Sequence, residues 1–211
     1  MAKKVDPKRR ELILANALSL FAEKGYYGVS VGDITKASGI AQGSLYTYFK
    51  SKGELVNALY CKWKEVLSEY VARDMTGLSG RVLHHRLWNN LIDFATDHPV
   101  ALSFLEAQYH ASYLTSESLL IHDTLKELGL KLYREILNDP DLGSDDLSIF
   151  MSVSYGAFIQ LSKEVKAGQL KFDKATVTTT ENSVWKAITA ISEPIVIDNS
   201  KSESYEFRSG H

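Results

Sequence analysis

Apolar residues recur along this chain at three- and four-residue spacing, and no stretch alternates apolar and polar positions long enough to be a strand. Ile13, Ala17, Leu20 and Phe21 give a first helix its buried stripe. Asp6 caps it, Pro7 suits its first turn and Gly25 closes it. Val31, Ile34 and Ala37 share one face of a short second helix. Ser30 and Asp33 open that helix as a capping-box variant, and Gly39 supplies the left-handed position after it. A third helix, from Ala41 or Gln42 to Phe49, turns Leu45 and Phe49 inward, and Ile40 plugs the gap before it. Ser51 and Glu54 form an S-x-x-E capping box for a fourth helix through residues 54–75, and MTGLSG then breaks the chain. Downstream the pattern predicts helices over 81–98, stopped by His98-Pro99, and over 99–114. The next covers 116–140, with Ser116 as cap and Pro140 beyond its end. Another covers 144–168, capped by Ser144, ended by Gly168 and apolar at Leu147, Met151, Phe158, Leu161 and Val165. The last contains Val177, Val184, Trp185, Ile188 and Ile191, its start blurred by the β-branched run at 176–180. Residues 192–211 are polar without a periodic face, and disorder is expected after Ile197. The expectation is an all-α chain of about nine helices. Residues 1–53 form a head that begins with a mobile arm, 54–197 a helical body with 54–74 as connector, and 198–211 a disordered tail.

The second and third helices read as a helix-turn-helix. Burying Leu45 and Phe49 leaves Gln42, Gly43, Ser44, Tyr46, Thr47 and Tyr48 on or beside the outer face, and small, hydrogen-bonding residues there suit base edges in a major groove. Self-packing of Tyr46 and Tyr48 against the head is the competing reading. Residues 13–60 carry LFAEKGY, an S-V-x-D-I entry, an A-x-G-I turn, G-S-L-Y-x-Y-F and K-x-x-L-V in register. In these the chain resembles the DNA-binding domain of the TetR/AcrR family of bacterial transcriptional repressors. The resemblance implies base contacts from Gln42 and Tyr46 and a close backbone approach at Gly43. It implies phosphate contacts from Ser44, Thr47, Tyr48 and Lys52, with Ser30 a further candidate. It also implies a homodimer through the last two long helices, a palindromic operator in double-stranded DNA, and release by a small-molecule inducer. The apolar stripes of those two helices fit dimerisation and burial within one protomer equally. A ligand-blind DNA-binding regulator or an activator is the alternative. Three residues depart from the family pattern: Ala41 at the recognition-helix cap, Thr35 at an alanine position, and Asn16, which needs a hydrogen-bond partner if it faces the core.

Charge sharpens this division. Residues 1–53 hold nine Lys/Arg against four Asp/Glu, a net +5, whereas 54–211 hold fifteen against twenty-two, a net −7. A basic head on an acidic body is the footprint of a nucleic-acid binder with a second domain of another purpose. Lys8, Arg9 and Arg10 crowd a helix N-terminus, where cations are disfavoured unless a phosphate is near; a solvated basic end explains them equally well. The single cysteine excludes an internal disulfide, the basic N-terminus lacks an apolar signal region, and no apolar run approaches a membrane span, so a cytoplasmic protein without membrane contact is expected. Catalytic signatures are missing: there is no nucleophile elbow, P-loop or dinucleotide fingerprint. No metal or cofactor is expected, because the histidines lack ligand spacing and the adjacent His84 and His85 point to different helix faces. The body is rich in aromatics, and a pocket for a hydrophobic or aromatic inducer is expected from Tyr60, Trp63, Trp88, Phe104, Glu106, Tyr109, Tyr155 and Phe158. Glu106 and Asp93 are candidates for holding a cation.

Overall fold

A computed structural model describes residues 6–108 and 111–190. Among them are nine α-helices and no strand: α1 Pro7–Lys24, α2 Val31–Ala37, α3 Gln42–Leu45, α4 Lys52–Ala72, α5 Gly80–Asp97, α6 Pro99–Ala107, α7 Ser116–Leu137, α8 Ser144–Lys166 and α9 Lys174–Ala190. The expectations for the N-terminal arm at 1–5, for Tyr109, for Ile191 and for the tail lie outside the described residues.

Local chemistry explains most helix ends. Asp6 Oδ1 accepts from the Lys8 N–H (3.0 Å), and Pro7 occupies the first turn. Ser30 and Asp33 form a complete capping box: Ser30 N–H donates to Asp33 Oδ2 (2.8 Å) and Asp33 N–H to Ser30 Oγ (3.1 Å). The Ser30 hydrogen bonds hold the Asp33 carboxyl below its usual value. Ser51 Oγ likewise caps Glu54 N–H (3.0 Å), but the Glu54 carboxylate accepts from Lys50 N–H instead, so this expected box is only half made. Two expected caps shift by one residue. Thr115 caps α7 through Ser118 N–H, and Gly143 precedes α8, leaving Ser116 and Ser144 inside their helices. At α9, Asp173 Oδ1 accepts from Thr176 N–H (2.8 Å), which offsets the weak propensity of the β-branched run that follows.

Helix α1 is shared between head and body. Its buried Ile13, Leu14, Ala17 and Phe21 pack on α2 and α4 and, through Phe21 against Phe104 (6.4 Å between ring centroids), on α6. Leu20 is only half-buried, so the stripe runs through Leu14 and Leu18 instead. In α2 the burial falls on Ile34, Thr35 and Ser38, while Ala37 is exposed, because Ile34 and Ser38 are four apart and share a face. Asn16 is half-buried and finds its partner in Leu12 O (2.9 Å). Helix α4 runs from the head into the body, touching α1, α5, α6 and α7.

The expected sixth helix stops at Ala107, well short of residue 114. Ahead of α7 the chain is instead bound to α4. The side-chain amide of buried Asn57 on α4 donates to Tyr113 O (3.0 Å) and Gly53 O (2.8 Å), and its oxygen accepts from Thr115 N–H (2.8 Å) and Ser118 Oγ (2.7 Å). Tyr113 also stacks on Tyr26 (3.9 Å, 25°), which fixes the start of α7 to the α1–α2 turn.

Helices α5, α8 and α9 close the far side. His84 and His85, expected on different faces, both converge on buried Glu181 of α9. His85 Nδ1 donates to Glu181 Oε2 (2.8 Å), while Arg81 donates both to Glu181 Oε1 and to His84 Nδ1 (3.0 Å). His84 Nδ1 must therefore be unprotonated, in line with burial pulling the His84 pKa down to about 4.

Candidate nucleic-acid interface and internal cavity

The turn between α2 and α3 depends on Gly39, whose φ of +63° lies in the left-handed region, and Ile40 N–H then bonds back to Thr35 O (3.0 Å). Helix α3 is shorter than expected, ending at Leu45. Beyond it Thr47 N–H bonds to Ser44 O (3.2 Å) and Tyr48 N–H to Leu45 O (2.9 Å), a tighter three-residue winding that carries the chain to Phe49. Ala41 offers no side-chain cap, so the N–H groups of this first turn gain no side-chain partner. Leu45 and Phe49 are buried and anchor the element. Gln42, Gly43, Tyr46 and Thr47 are exposed, Tyr46 at 49% and therefore not absorbed by the core. Ser44 and Tyr48 are half-buried at the edge of the same surface. Nothing lies within 4 Å of a Cβ built on Gly43, so its openness is toward solvent. Ser30 Oγ faces Asp33 Oδ2 (2.6 Å) and is committed to the capping box.

Lys52 takes a different place from the phosphate-facing one expected. Its ammonium donates to Tyr26 O and Val29 O, each at 2.9 Å, and lies 4.1 Å from the centre of the Tyr26 ring. Two of its three N–H donors thus close the α1–α2 turn, and one remains for any other partner. Around the head, Arg10 stacks over Phe49 (5.1 Å) and Lys62 of α4 pairs with Glu11 of α1.

The body holds a half-open cavity of about 270 Å³, lined from α4, α5, α6, α7 and α8. Leu67, Val71, Leu87, Leu91, Leu125 and Met151 give it an apolar wall, and Lys64, Glu106, His122, Lys126, Tyr133 and Tyr155 supply polar groups. Tyr155 Oη donates to Glu106 Oε1 (3.1 Å). Of the residues expected in a pocket, the structure brings Glu106 and Tyr155 to this cavity. It corrects the rest of the described set. Trp88, Phe104 and Phe158 are fully buried core, with Trp88 edge-on to Phe158 (6.5 Å, 81°). Tyr60 lies behind the wall with its hydroxyl 3.2 Å from His122 Nδ1, and Trp63 packs on His98 (5.0 Å). The large rings serve as contacts between helices, and space is left where leucines and Met151 line up instead. Asp93 pairs with Arg73 and is already neutralised.

The family model for the N-terminal domain of bacterial regulatory proteins of the tetR family matches residues 13–59, and that for the tetracyclin repressor-like C-terminal domain matches residues 61–190. The chain belongs to the TetR family. Its relatives include the HTH-type transcriptional regulator AcrR of Shigella flexneri, 29% identical over 64% of this chain and 66% of AcrR. The fatty acid metabolism regulator protein of Bacillus subtilis is 35% identical over 34% of each chain. The chain thus spans under two thirds of the length of these relatives. Among solved structures, a TetR-like transcriptional regulator from Rhodococcus sp. RHA1 superposes with a TM-score of 0.70 at 20% identity, covering 89% of this chain and 99% of the other. A TetR family transcription regulator from Marinobacter aquaeolei VT8 gives 0.70 at 18%, covering 85% and 94%. These relatives are named as regulators, and the TetR family is not an enzyme family.

In this TetR-family chain, sequence reasoning missed Lys64 and Asn57. Both are polar residues on the inner face of α4, only 8% and 7% exposed, and that misplacement in an amphipathic pattern was the signal available.

Proposed function

We propose that this protein is a transcriptional repressor that binds a palindromic operator as a homodimer and is released from DNA by a small apolar effector. The observation that carries the reading is the exposed row Gln42, Gly43, Tyr46 and Thr47, held in place from behind by buried Leu45 and Phe49 in a head of net charge +5. Gln42 suits an adenine edge, and Tyr46 a hydrogen bond or a thymine methyl. Ser44, Thr47 and Tyr48 flank them as phosphate contacts, while Lys52 holds the α1–α2 turn behind them. One head reads few base pairs, so two heads in successive major grooves are required. Pairing through α8 and α9 is supported by Ile149 and Val153, apolar residues left 53% and 36% exposed one turn apart on α8.

Helix α4 is the lever in this account. Lys64, Leu67 and Val71 line the cavity, while Asn57 and Lys52, further toward the N-terminus of the same helix, grip the body loop and the head. An effector that pushes on the first group tilts the second, and operator and effector must then weaken each other by the same factor, typically ~5–150-fold. The domain division follows the lever: residues 1–53 as head and 54–197 as body, with α4 connecting them.

Selection of bound sites from a random DNA pool, followed by measurement of stoichiometry on the selected site, tests the reading. A two-fold symmetric site bound by two protomers, with half-sites about one helical turn or a multiple apart, is expected. Enrichment of an asymmetric site bound by one protomer would contradict it.

A further inference from the structure

Lys64 is the odd member of the cavity wall. It projects from α4 among leucines, is 8% exposed, and makes no hydrogen bond and no ion pair within 4.0 Å among the described residues. The ring of Tyr60 lies 5.5 Å from its ammonium. An ammonium has three N–H donors and no acceptor, so what it lacks is an oxygen. Glu106 on the cavity wall lies near enough to favour the charged lysine, but it does not pair with it, and one of its oxygens is occupied by the Tyr155 hydroxyl. Lys126 adds a second positive charge to the lining against the single carboxylate of Glu106. Leu67, Val71, Leu87, Leu91, Leu125 and Met151 make the apolar part of the wall, and His122, Tyr133 and Tyr155 are its remaining large polar residues. The unmet demand is therefore for one anionic acceptor group carried on an apolar body.

We propose that the cavity binds a small apolar monocarboxylate whose head group is held by Lys64. The proposal rests on the reading of this cavity as an effector site and narrows the effector to one chemical class. A cationic amphipath would meet Glu106 but would leave Lys64 a buried charge without an anionic partner. A neutral alcohol offers a single acceptor to a full charge. A carboxylate provides two oxygens and converts an unpaired buried charge into a charge-assisted pair. The cavity's volume, at the lower end for ligand sites, suits a short chain or a single ring.

A pH dependence follows. Burial pulls the pKa of Lys64 down to about 8 in the empty protein, against the pull of Glu106. The groups around it are Tyr60 on its own helix, Glu106 on α6, His122, Lys126 and Tyr133 on α7, and Tyr155 on α8. Burial pushes Tyr133 up to about 12, so it stays neutral across the window used. Carboxylate binding requires the charged lysine, so affinity is full below pH 8 and falls above it, by about tenfold between pH 7 and pH 9.

Calorimetric titration of the full chain with octanoate, phenylbutyrate, octanol and octylamine tests this, with operator release by the same compounds followed separately by fluorescence anisotropy. The expected result is that at least one acid binds about tenfold or more tighter than octanol and octylamine, with the pH dependence above. Lys64→Met, checked for native helix content, removes the preference for acid over alcohol. Lys64→Arg keeps it but abolishes the pH dependence, because a guanidinium stays charged. No binding of either acid, an equal or better affinity for octylamine, or an unchanged preference in Lys64→Met would overturn the proposal. Operator release by octylamine alone would overturn it while leaving the effector reading intact. Acid binding without any operator release would uphold the pocket chemistry and sink the effector reading.

Discussion

Replacing Asn57 by Ala removes four hydrogen bonds at once, three of them across the joint between α4 and the start of α7. The amide is 7% exposed and fully engaged, donating to Gly53 O and Tyr113 O and accepting from Thr115 N–H and Ser118 Oγ at 2.7–3.0 Å. Gly53 O also serves the intrahelical ladder, so its loss is minor. Tyr113 O, Thr115 N–H and Ser118 Oγ depend on Asn57 more heavily, although Thr115 Oγ1 offers Ser118 an alternative at 3.3 Å. Leaving two such groups without partners at about 1–3 kcal/mol each gives an expected loss of roughly 2–6 kcal/mol. Asn57→Asp should cost as much or more, because a carboxylate keeps the acceptor but sets a negative charge against two carbonyls. Urea unfolding followed by circular dichroism measures both variants, and the midpoint should fall without a large change in slope. A loss below about 0.5 kcal/mol for Asn57→Ala would mean that water replaces the amide at no cost and that the joint is not a rigid coupling.

Lys52→Met removes two charge-assisted bonds to backbone carbonyls and should cost about 1–3 kcal/mol in a urea titration, leaving the salt dependence of DNA binding unchanged; a salt slope lower by about 0.9 with no loss of stability would instead make Lys52 a phosphate contact. His84 has a folded pKa of about 4 against 6.5 unfolded, so the unfolded chain binds the extra proton and stability falls as pH drops from 6.5 to 4, by at most about 3 kcal/mol; urea unfolding at pH 7 and pH 4.5 should show a smaller difference in His84→Gln than in wild type, and an equal difference would contradict the neutral assignment. Gly39→Ala has open space for its methyl group, so its cost is the left-handed backbone alone, about 1 kcal/mol, and thermal unfolding should show Gly39→Asn to be milder.

Helices, most of their ends and the helix-turn-helix were legible in the sequence because they follow from local rules: spacing of apolar residues, an oxygen at a cap, a glycine after a last turn. Ser30–Asp33 and Gly39 are of this kind. What escaped depends on contacts distant in sequence. Asn57 holds Tyr113 and Thr115, 56 and 58 residues away, ahead of α7. Lys52 reads as a free cation at a helix N-terminus until the α1–α2 turn brings two carbonyls to it. His84 and His85 are adjacent on α5, yet both lie within 3.5 Å of one carboxylate because Arg81 and Glu181 draw α9 across that surface. The cavity was the hardest feature to foresee. Aromatic residues suggested a pocket, but Trp88 and Phe158 fill space, and the cavity lies among leucines, where Lys64 is the telling residue.

The central claim, a DNA reader built on the exposed face of α3, is tested most directly by fluorescence anisotropy. The wild-type chain and Tyr46→Ala would be measured on DNA from upstream of the gene and on scrambled DNA, each at two salt concentrations. The account predicts a preference of order 10³ or more for the upstream DNA with steep salt dependence, and a loss of roughly 1–3 kcal/mol of that preference in Tyr46→Ala without loss of fold. Equal affinity of wild type and Tyr46→Ala for both DNAs would contradict it.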